Sequence, residues 1–245
     1  MRDGRQMPSP PWRRHELLHV APDVWASALA QRPALADLPL LEHWAQREWP
    51  VIVRRRAEGE DPDLVPVGVP LPPAAGKCRV ALVLPPGGIL QRSYPPLLLR
   101  AAAKVADAGW QATIAALLVL GTRTGVEPSA FGSLLWEHLT GLAYLSPQSD
   151  LDVVWQVPAD FDVLALVFGI AQVQRDAAIR IDGEVVFPDG SAVNWRELWN
   201  AYRAANRAGN RSGHWAEDRA TVLAKTMEGV RLLDIASLPG ARGRT

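Results

Sequence analysis

The chain has 245 residues and carries 26 Lys plus Arg against 26 Asp plus Glu, for a formal net charge of zero. That balance excludes the strongly basic class of nucleic-acid coats and polybasic membrane anchors, so neither nucleic acid nor membrane is expected as a partner. The zero is unevenly built, with net charges of +3 over residues 1–100, −7 over 101–200 and +4 over 201–245.

Hydrophobic residues make up 48% and charged residues 21%, which supports a packed core in one large domain or two small ones. The lone cysteine, Cys78, excludes a disulfide framework and a Cys-based zinc site, and fits a reducing cytoplasm. His15, His19, His43, His138 and His214 show no HExxH-type spacing. The longest uncharged run, residues 108–122, spans 15 positions and is too short for a transmembrane helix. The first residues, MRDGRQMPSPPWRRHE, hold no apolar h-region, so no secretory signal is expected. Arginine outnumbers lysine 23 to 3. A GC-rich genome produces that bias, and so do guanidinium forks that grip phosphates. Ten Trp against four Phe and three Tyr point to core anchors or pocket rims.

A short helix is expected over residues 23–31 and another over 40–46, with Pro33 and Pro39 between them. Val51-Ile52-Val53 is β-branched and predicts a strand running into Arg54-Arg55-Arg56. Residues 58–62 form an acidic turn. Residues 65–71 alternate valine and proline, and proline cannot donate to a ladder, so only an edge strand is expected. A loop, Pro72-Pro73-Ala74-Ala75-Gly76, leads to a strand over 79–84. Pro85-Pro86-Gly87-Gly88 is the strongest linker signal and places the domain boundary there. Residues 1–86 then form a small, basic, strand-rich domain, and 87–245 the larger one.

Beyond the boundary, residues 97–108 have helical spacing after Pro95-Pro96. Residues 111–120 are apolar, with no period that separates helix from strand. A short helix is expected over 133–140, a strand over 151–155 and a helix over 161–174. Residues 178–187 alternate, with Ile179, Ile181, Gly183, Val185 and Phe187 on one face and Arg180, Asp182, Glu184 and Val186 on the other. Pro188-Asp189-Gly190 is a turn. Asn194 and Glu197 read as a capping pair opening a helix to about residue 206. A final helix is expected over 217–235. These elements predict an α+β fold.

The chemistry concentrates in Phe131-Gly132-Ser133, a following helix, and Ser149-Asp150-Leu151-Asp152. Gly132 and Ser133 at a helix start offer backbone N–H groups and a hydroxyl to a phosphate. Asp150 and Asp152 share one face of a strand, and paired carboxylates suit a hard divalent cation. Together they form a site able to hold a polyphosphate and its metal for in-line attack. The order Gly-Ser, helix, strand-borne Asp-x-Asp resembles the polymerase-β-like nucleotidyltransferases. That resemblance implies a mixed sheet with helices packed on it. Sixteen residues separate Ser133 from Asp150, longer than that superfamily's common spacing.

The longer spacing has a match. Phe131-Gly132-Ser133-Leu134-Leu135-Trp136, Leu139-Thr140-Gly141-Leu142, Tyr144-Leu145 and Ser149-Asp150-Leu151-Asp152 resemble the malonate decarboxylase holo-acyl-carrier-protein synthases, also called phosphoribosyl-dephospho-CoA transferases. The likeness continues through Asp182-Gly183-Glu184, Phe187-Pro188-Asp189-Gly190, Ala192-Val193 and Trp195-Arg196-Glu197-Leu198. In the first half it includes Arg14-His15, Val53-Arg54-Arg55, Gly68-Val69-Pro70-Leu71-Pro72 and Gly76-Lys77. Cys78 departs from the pattern, which tends to have a second basic residue there, and shifts weight to Lys77 and Arg79.

The resemblance implies a donor, 2′-(5″-triphosphoribosyl)-3′-dephospho-CoA, and an acceptor serine on the malonate decarboxylase acyl-carrier subunit. Attack at the α-phosphorus releases pyrophosphate. Asp150 and Asp152 are then expected to bind Mg²⁺ or Mn²⁺, and Gly132 with Ser133 a terminal phosphate. Asp182 is expected as third carboxylate, with Glu184 its rival. Arg54, Arg55, Lys77 and Lys225 are expected to grip donor phosphates. Two other readings stay open: a nucleotidyltransferase that uses ATP on another acceptor, and a non-catalytic adaptor of the decarboxylase complex.

Overall fold

The computed structural model describes residues 11–35, 37–105, 107–212 and 220–238. Its first half runs β1 (Leu17–Val20), α1 (Pro22–Ala30), α2 (Pro39–Glu42), β2 (Val51–Val53), β3 (Val65–Pro70), β4 (Arg79–Leu84) and β5 (Ile89–Ser93). The strands pair antiparallel in the order β4-β3-β2-β1-β5. Alternation buries Val65, Val67, Val69, Val80, Leu82 and Leu84 on one face, each contributing about 1.5–3 kcal/mol. Trp25, Leu41 and Trp44 close that face. The Trp25 indole donates to the Leu41 carbonyl at 2.7 Å and the Trp44 indole to Pro50 at 3.0 Å, so both bury with their one polar atom satisfied.

Two expectations are corrected here. β3 is not an edge strand, because it lies between β4 and β2. Its prolines are tolerated since both fall outside the short register with β2, which joins only Ile52 to Gly68 and Val53 to Val67. Pro66 needs only its carbonyl, which accepts from the Arg54 N–H at 3.0 Å. The break after residue 86 also moves. β5 pairs with β1 from Ile89 to Ser93, so the first sheet continues past that point. The Pro-Gly run is a 3-10 turn, Pro86–Gly88, that returns the chain to its own sheet.

The second half runs α3 (Leu98–Ala101), α4 (Ala108–Thr124), β6 (Ser129–Ala130), α5 (Gly132–Thr140), β7 (Leu151–Gln156), α6 (Val163–Asp176), β8 (Ile181–Val186), β9 (Ala192–Asn194), α7 (Trp195–Ser212), β10 (Thr221–Lys225) and β11 (Val230–Asp234). The sheet order is β11-β10-β9-β8-β7-β6, antiparallel except for the parallel pair β7–β8, which α6 connects. The ambiguous apolar run is helical, as α4, and Asp107 caps it by accepting from the Trp110 N–H at 3.0 Å. α4 packs on α6 and α6 on α7. Leu151, Val153, Trp155, Ile181, Val185, Val193 and Val222 form the buried side of the sheet in the same core. The opposite face carries Asp152, Asp182, Glu184 and Lys225.

The helix expected at the end is instead the β10–β11 hairpin, paired from Thr221 with Asp234 to Lys225 with Val230. Val222 and Ala224 are buried while Thr221 and Leu223 are exposed, a period of two that a helix cannot satisfy. Residues 217–219 of that expectation lie outside the described residues. The fold class holds as α+β with one antiparallel and one mixed sheet. Among the described residues, no helix is long and apolar enough to cross a membrane.

Candidate active site

The long spacing between Ser133 and Asp150 is used to join the halves. Glu137 Oε2 accepts from the Tyr144 and Leu145 N–H groups, both at 2.9 Å, and folds the loop back. The Tyr144 hydroxyl then donates to the Pro70 carbonyl of β3 at 2.9 Å. Tyr144 and Trp136 are buried in the core of the first sheet. Between the two halves lies a cleft of about 650 Å³. Gly132, Ser133, Asp152, Glu184 and Lys225 line it from one half, and Arg54, Arg55, Gly68, Lys77 and Arg79 from the other.

α5 starts against β7. The Phe131 N–H donates to the Asp152 carbonyl at 3.0 Å. Gly132 has φ +55°, and a Cβ there would sit 1.8 Å from Asp152 Oδ2, so only glycine lets the carboxylate lie against the helix start. The Ser133 backbone N–H donates to that carboxylate. Parallel register sets Asp152 beside Asp182 of β8. Burial, then the charges of Asp182 and Asp150, push the Asp152 carboxyl up to about 6, against the pull of Arg79 and the Ser133 bond. Asp182 Oδ1 accepts from Asn194 Nδ2 at 2.8 Å and from the Gly183 N–H at 2.9 Å. Asp150 approaches Arg180 at 3.7 Å. Among the described residues, no three His, Cys, Asp or Glu side chains converge into a ready-made metal cage.

Glu184, two residues along the same face, keeps different company. It accepts from His15 Nε2 at 2.9 Å, Arg14 Nη2 at 3.0 Å and Lys225 Nζ at 2.6 Å. A carboxylate only accepts, so the neutral His15 ring carries its proton on Nε2. His15 is buried with φ +73°, and its ring meets Phe131 edge-on at 4.7 Å. Burial lowers the basicity of His15 against the upward pull of Glu184. Burial also opposes charge on Glu184, yet His15, Arg14 and Lys225 overcome it and hold the carboxyl far below the ordinary carboxylate range. Arg14 and His15 come from the first half and Glu184 and Lys225 from the second. The cluster clamps the seam.

The expected phosphate-gripping cations divide in two. Arg54 donates from Nε to Val67 O at 3.0 Å, from Nη1 to Arg55 O at 2.9 Å and Glu60 Oε2 at 3.0 Å, and from Nη2 to Leu82 O at 3.1 Å and Glu60 Oε1. All five N–H groups are used within its own domain, leaving none for a ligand. Lys225 is held by Glu184. Arg55, Lys77 and Arg79 line the cleft with no ion pair among the described residues.

Three side chains take roles that their sequence context does not indicate. Asn194 caps α7 through Oδ1, which accepts from the Arg196 N–H at 2.9 Å, while its Nδ2 steadies Asp182. Glu197 does not complete the capping box; it accepts from the Leu223 N–H at 3.0 Å and ties α7 to β10. Arg14, quoted only as part of a motif, proves a central partner of Glu184. Its signal lies in the fold, because 170 residues separate the pair.

The sequence model described as the phosphoribosyl-dephospho-CoA transferase MdcG C-terminal domain matches residues 97–236, and that of the MdcG N-terminal domain matches residues 13–95. The gap between the matches follows β5, where the first sheet ends. A phosphoribosyl-dephospho-CoA transferase of Bradyrhizobium diazoefficiens is 40% identical over 185 residues, covering 76% of this chain and 81% of that protein. One from Xanthomonas campestris is 37% identical over 217 residues, covering 88% and 93%. Another from Pseudomonas aeruginosa is 34% identical over 194 residues, covering 76% and 78%. No solved structure matches the chain significantly. With both domain models matched in order, and relatives of one name aligned along most of their length, the chain belongs to the phosphoribosyl-dephospho-CoA transferase family.

Proposed function

We propose that the chain transfers phosphoribosyl-dephospho-CoA from 2′-(5″-triphosphoribosyl)-3′-dephospho-CoA to a serine of the malonate decarboxylase acyl-carrier subunit, in the cytoplasm. One observation carries the reading: a single cleft sets Gly132, Ser133 and Asp152 opposite Arg55, Lys77 and Arg79, in a chain of this family. A polymerase-β-like nucleotidyltransferase domain is the reading of the second half. Supporting it are the Gly-Ser start of α5, Asp150 and Asp152 at β7, and Asp182 in parallel register on β8.

Asp150 and Asp152, with Asp182 beside them, are the residues that would hold Mg²⁺ or Mn²⁺. Hard oxygen donors, one of them pushed up to about 6 by burial and then by its neighbours' charges, make an under-compensated anionic site, which suits such a cation. A three-ligand cage is not required, because Mg²⁺ keeps several waters and binds through one or two carboxylates plus substrate phosphates. The bound ion would neutralise charge on the triphosphate and the departing pyrophosphate. The chain's own groups supply position and proton transfer. The start of α5, with the Ser133 hydroxyl, binds a terminal phosphate. Asp182, anchored at Oδ1 by Asn194, keeps Oδ2 to accept the proton as the serine oxygen attacks the α-phosphorus. The bond from the α-phosphorus to the bridging oxygen breaks, and pyrophosphate leaves.

Mass spectrometry of the carrier subunit after incubation with the protein, Mg²⁺ and either donor or ATP tests this. The expected gain equals phosphoribosyl-dephospho-CoA. An AMP-sized gain would indicate ATP-dependent nucleotidyl transfer, and no gain with folded protein would indicate an adaptor.

A further inference from the structure

The donor named above carries two polyphosphates: the reacting triphosphate, and the diphosphate that joins adenosine to pantetheine in its dephospho-CoA half. The start of α5 and its carboxylates serve only the first. We infer that the open face of the first sheet is a separate subsite for the adenine and diphosphate of dephospho-CoA, an inference that rests on the proposed transferase reading.

The first sheet closes one face with Trp25, Leu41 and Trp44 and turns the other to the cleft. There, Ile52, Gly68 and Ala81 lie directly opposite one another across β2, β3 and β4. Among the described residues, nothing demands glycine at position 68. Its φ lies outside the left-handed region, and an added Cβ would meet its nearest neighbour, Val80 O, at an ordinary 3.7 Å. What glycine does here is leave the floor flush with the backbone, beside the single methyl of Ala81. A flat apolar floor of that kind accepts the face of a planar base. Arg54 stiffens the floor, since its Cδ would lie 3.9 Å from that Cβ and all its donors are bound.

The floor is rimmed by cations. Arg79 pairs across the ladder with Pro70, Lys77 precedes it in the loop, and Arg55 follows β2. All three are exposed into the cleft and unpaired among the described residues. They are the counter-charge a diphosphate needs. ATP has no second phosphate group to place there, so this face also discriminates the donor from ATP.

Titration calorimetry with dephospho-CoA alone, which lacks the triphosphate, tests the subsite. Wild type is expected to bind it, and Asp152→Asn to bind it at least as tightly, because the reacting site is not used and the variant removes a negative charge that acts on Arg79. The double variant Lys77→Ala/Arg79→Ala is expected to weaken binding at least about tenfold by removing charge-assisted contacts. Gly68→Val is expected to do the same by filling the floor, with an unchanged melting temperature. The inference is overturned if wild type does not bind dephospho-CoA, if Asp152→Asn abolishes binding, or if the double variant binds as wild type does. Labelling of the carrier without dephospho-CoA binding would remove the subsite and leave the transferase reading intact. Binding without labelling would do the reverse.

Discussion

Asp152 and Glu184 lie on the same open face of the same sheet and meet opposite surroundings. Asp152 is tucked under the start of α5 among other carboxylates, and its carboxyl is pushed up to about 6. Glu184 is ringed by Arg14, His15 and Lys225 and held far below the ordinary range. One end of the face holds more negative charge than Arg79 and Arg180 offset, and the other is saturated with positive charge. On the proposed reading, the first is where a metal and substrate act and the second is what keeps the two halves together. Proximity to the site does not make a carboxylate catalytic; unmet charge does.

The sharpest way to break that contrast is Asp152→Asn. Transfer to the carrier should fall about a thousandfold or more, since the interaction lost is the one with developing phosphate charge. Stability should hold or rise, because a neutral amide removes a buried charge and with it the repulsion from Asp182 and Asp150. Labelling rates and a urea midpoint measure both, and undiminished transfer would sink the contrast. Gly132→Ala comes next, with a Cβ 1.8 Å from Asp152 Oδ2 at φ +55°. It should cost about 1–2 kcal/mol of stability from the left-handed backbone, and about a hundredfold in rate from a displaced carboxylate.

Glu184→Gln should reverse the pattern. It leaves Arg14 and Lys225 facing a neutral amide at the seam, for about 3 kcal/mol of stability, with less than about tenfold change in turnover per folded molecule. A denaturation curve paired with active-site-normalised rates separates these outcomes. Acidification acts on one end only. The raised pKa of Asp152 means it gains its proton as pH falls through about 6. The depressed pKa of Glu184 means its clamp, in place above the ordinary carboxylate value, is lost only at far lower pH. Mg²⁺ affinity should therefore fall up to about tenfold per pH unit below 6, while the Glu184 ion pairs persist. A flat affinity between about pH 7 and 5 would count against Asp152 as a ligand.

Much of the second half was legible because its signals are local. Period two puts Asp182 and Glu184 on one strand face, and Gly132-Ser133 marks the α5 start. What distinguishes the two carboxylates was not legible, since their partners arrive through the tertiary fold from positions 14, 15 and 225. Arg54 shows the same limit. Its position beside Arg55 looks like a phosphate grip, yet Glu60 and three carbonyls take all its donors. The misread elements share another cause. Pro-Gly punctuation marks any sharp reversal, so the Pro86–Gly88 turn reads as a linker until β5 is seen to rejoin its sheet. The apolar end of the chain lacked a long enough period to separate a helix from the β10–β11 hairpin.

The uneven charge along the chain follows the same division. The acidic middle supplies Asp150, Asp152 and Asp182, and the basic first hundred residues supply Arg55, Lys77 and Arg79 across the cleft. The most direct test of this division is anomalous diffraction from crystals grown with Mn²⁺ and pyrophosphate. A manganese peak bound by Asp150 and Asp152, with Glu184 still holding Arg14, His15 and Lys225, is the predicted result. A peak on Glu184, or manganese that does not touch Asp152, would contradict it.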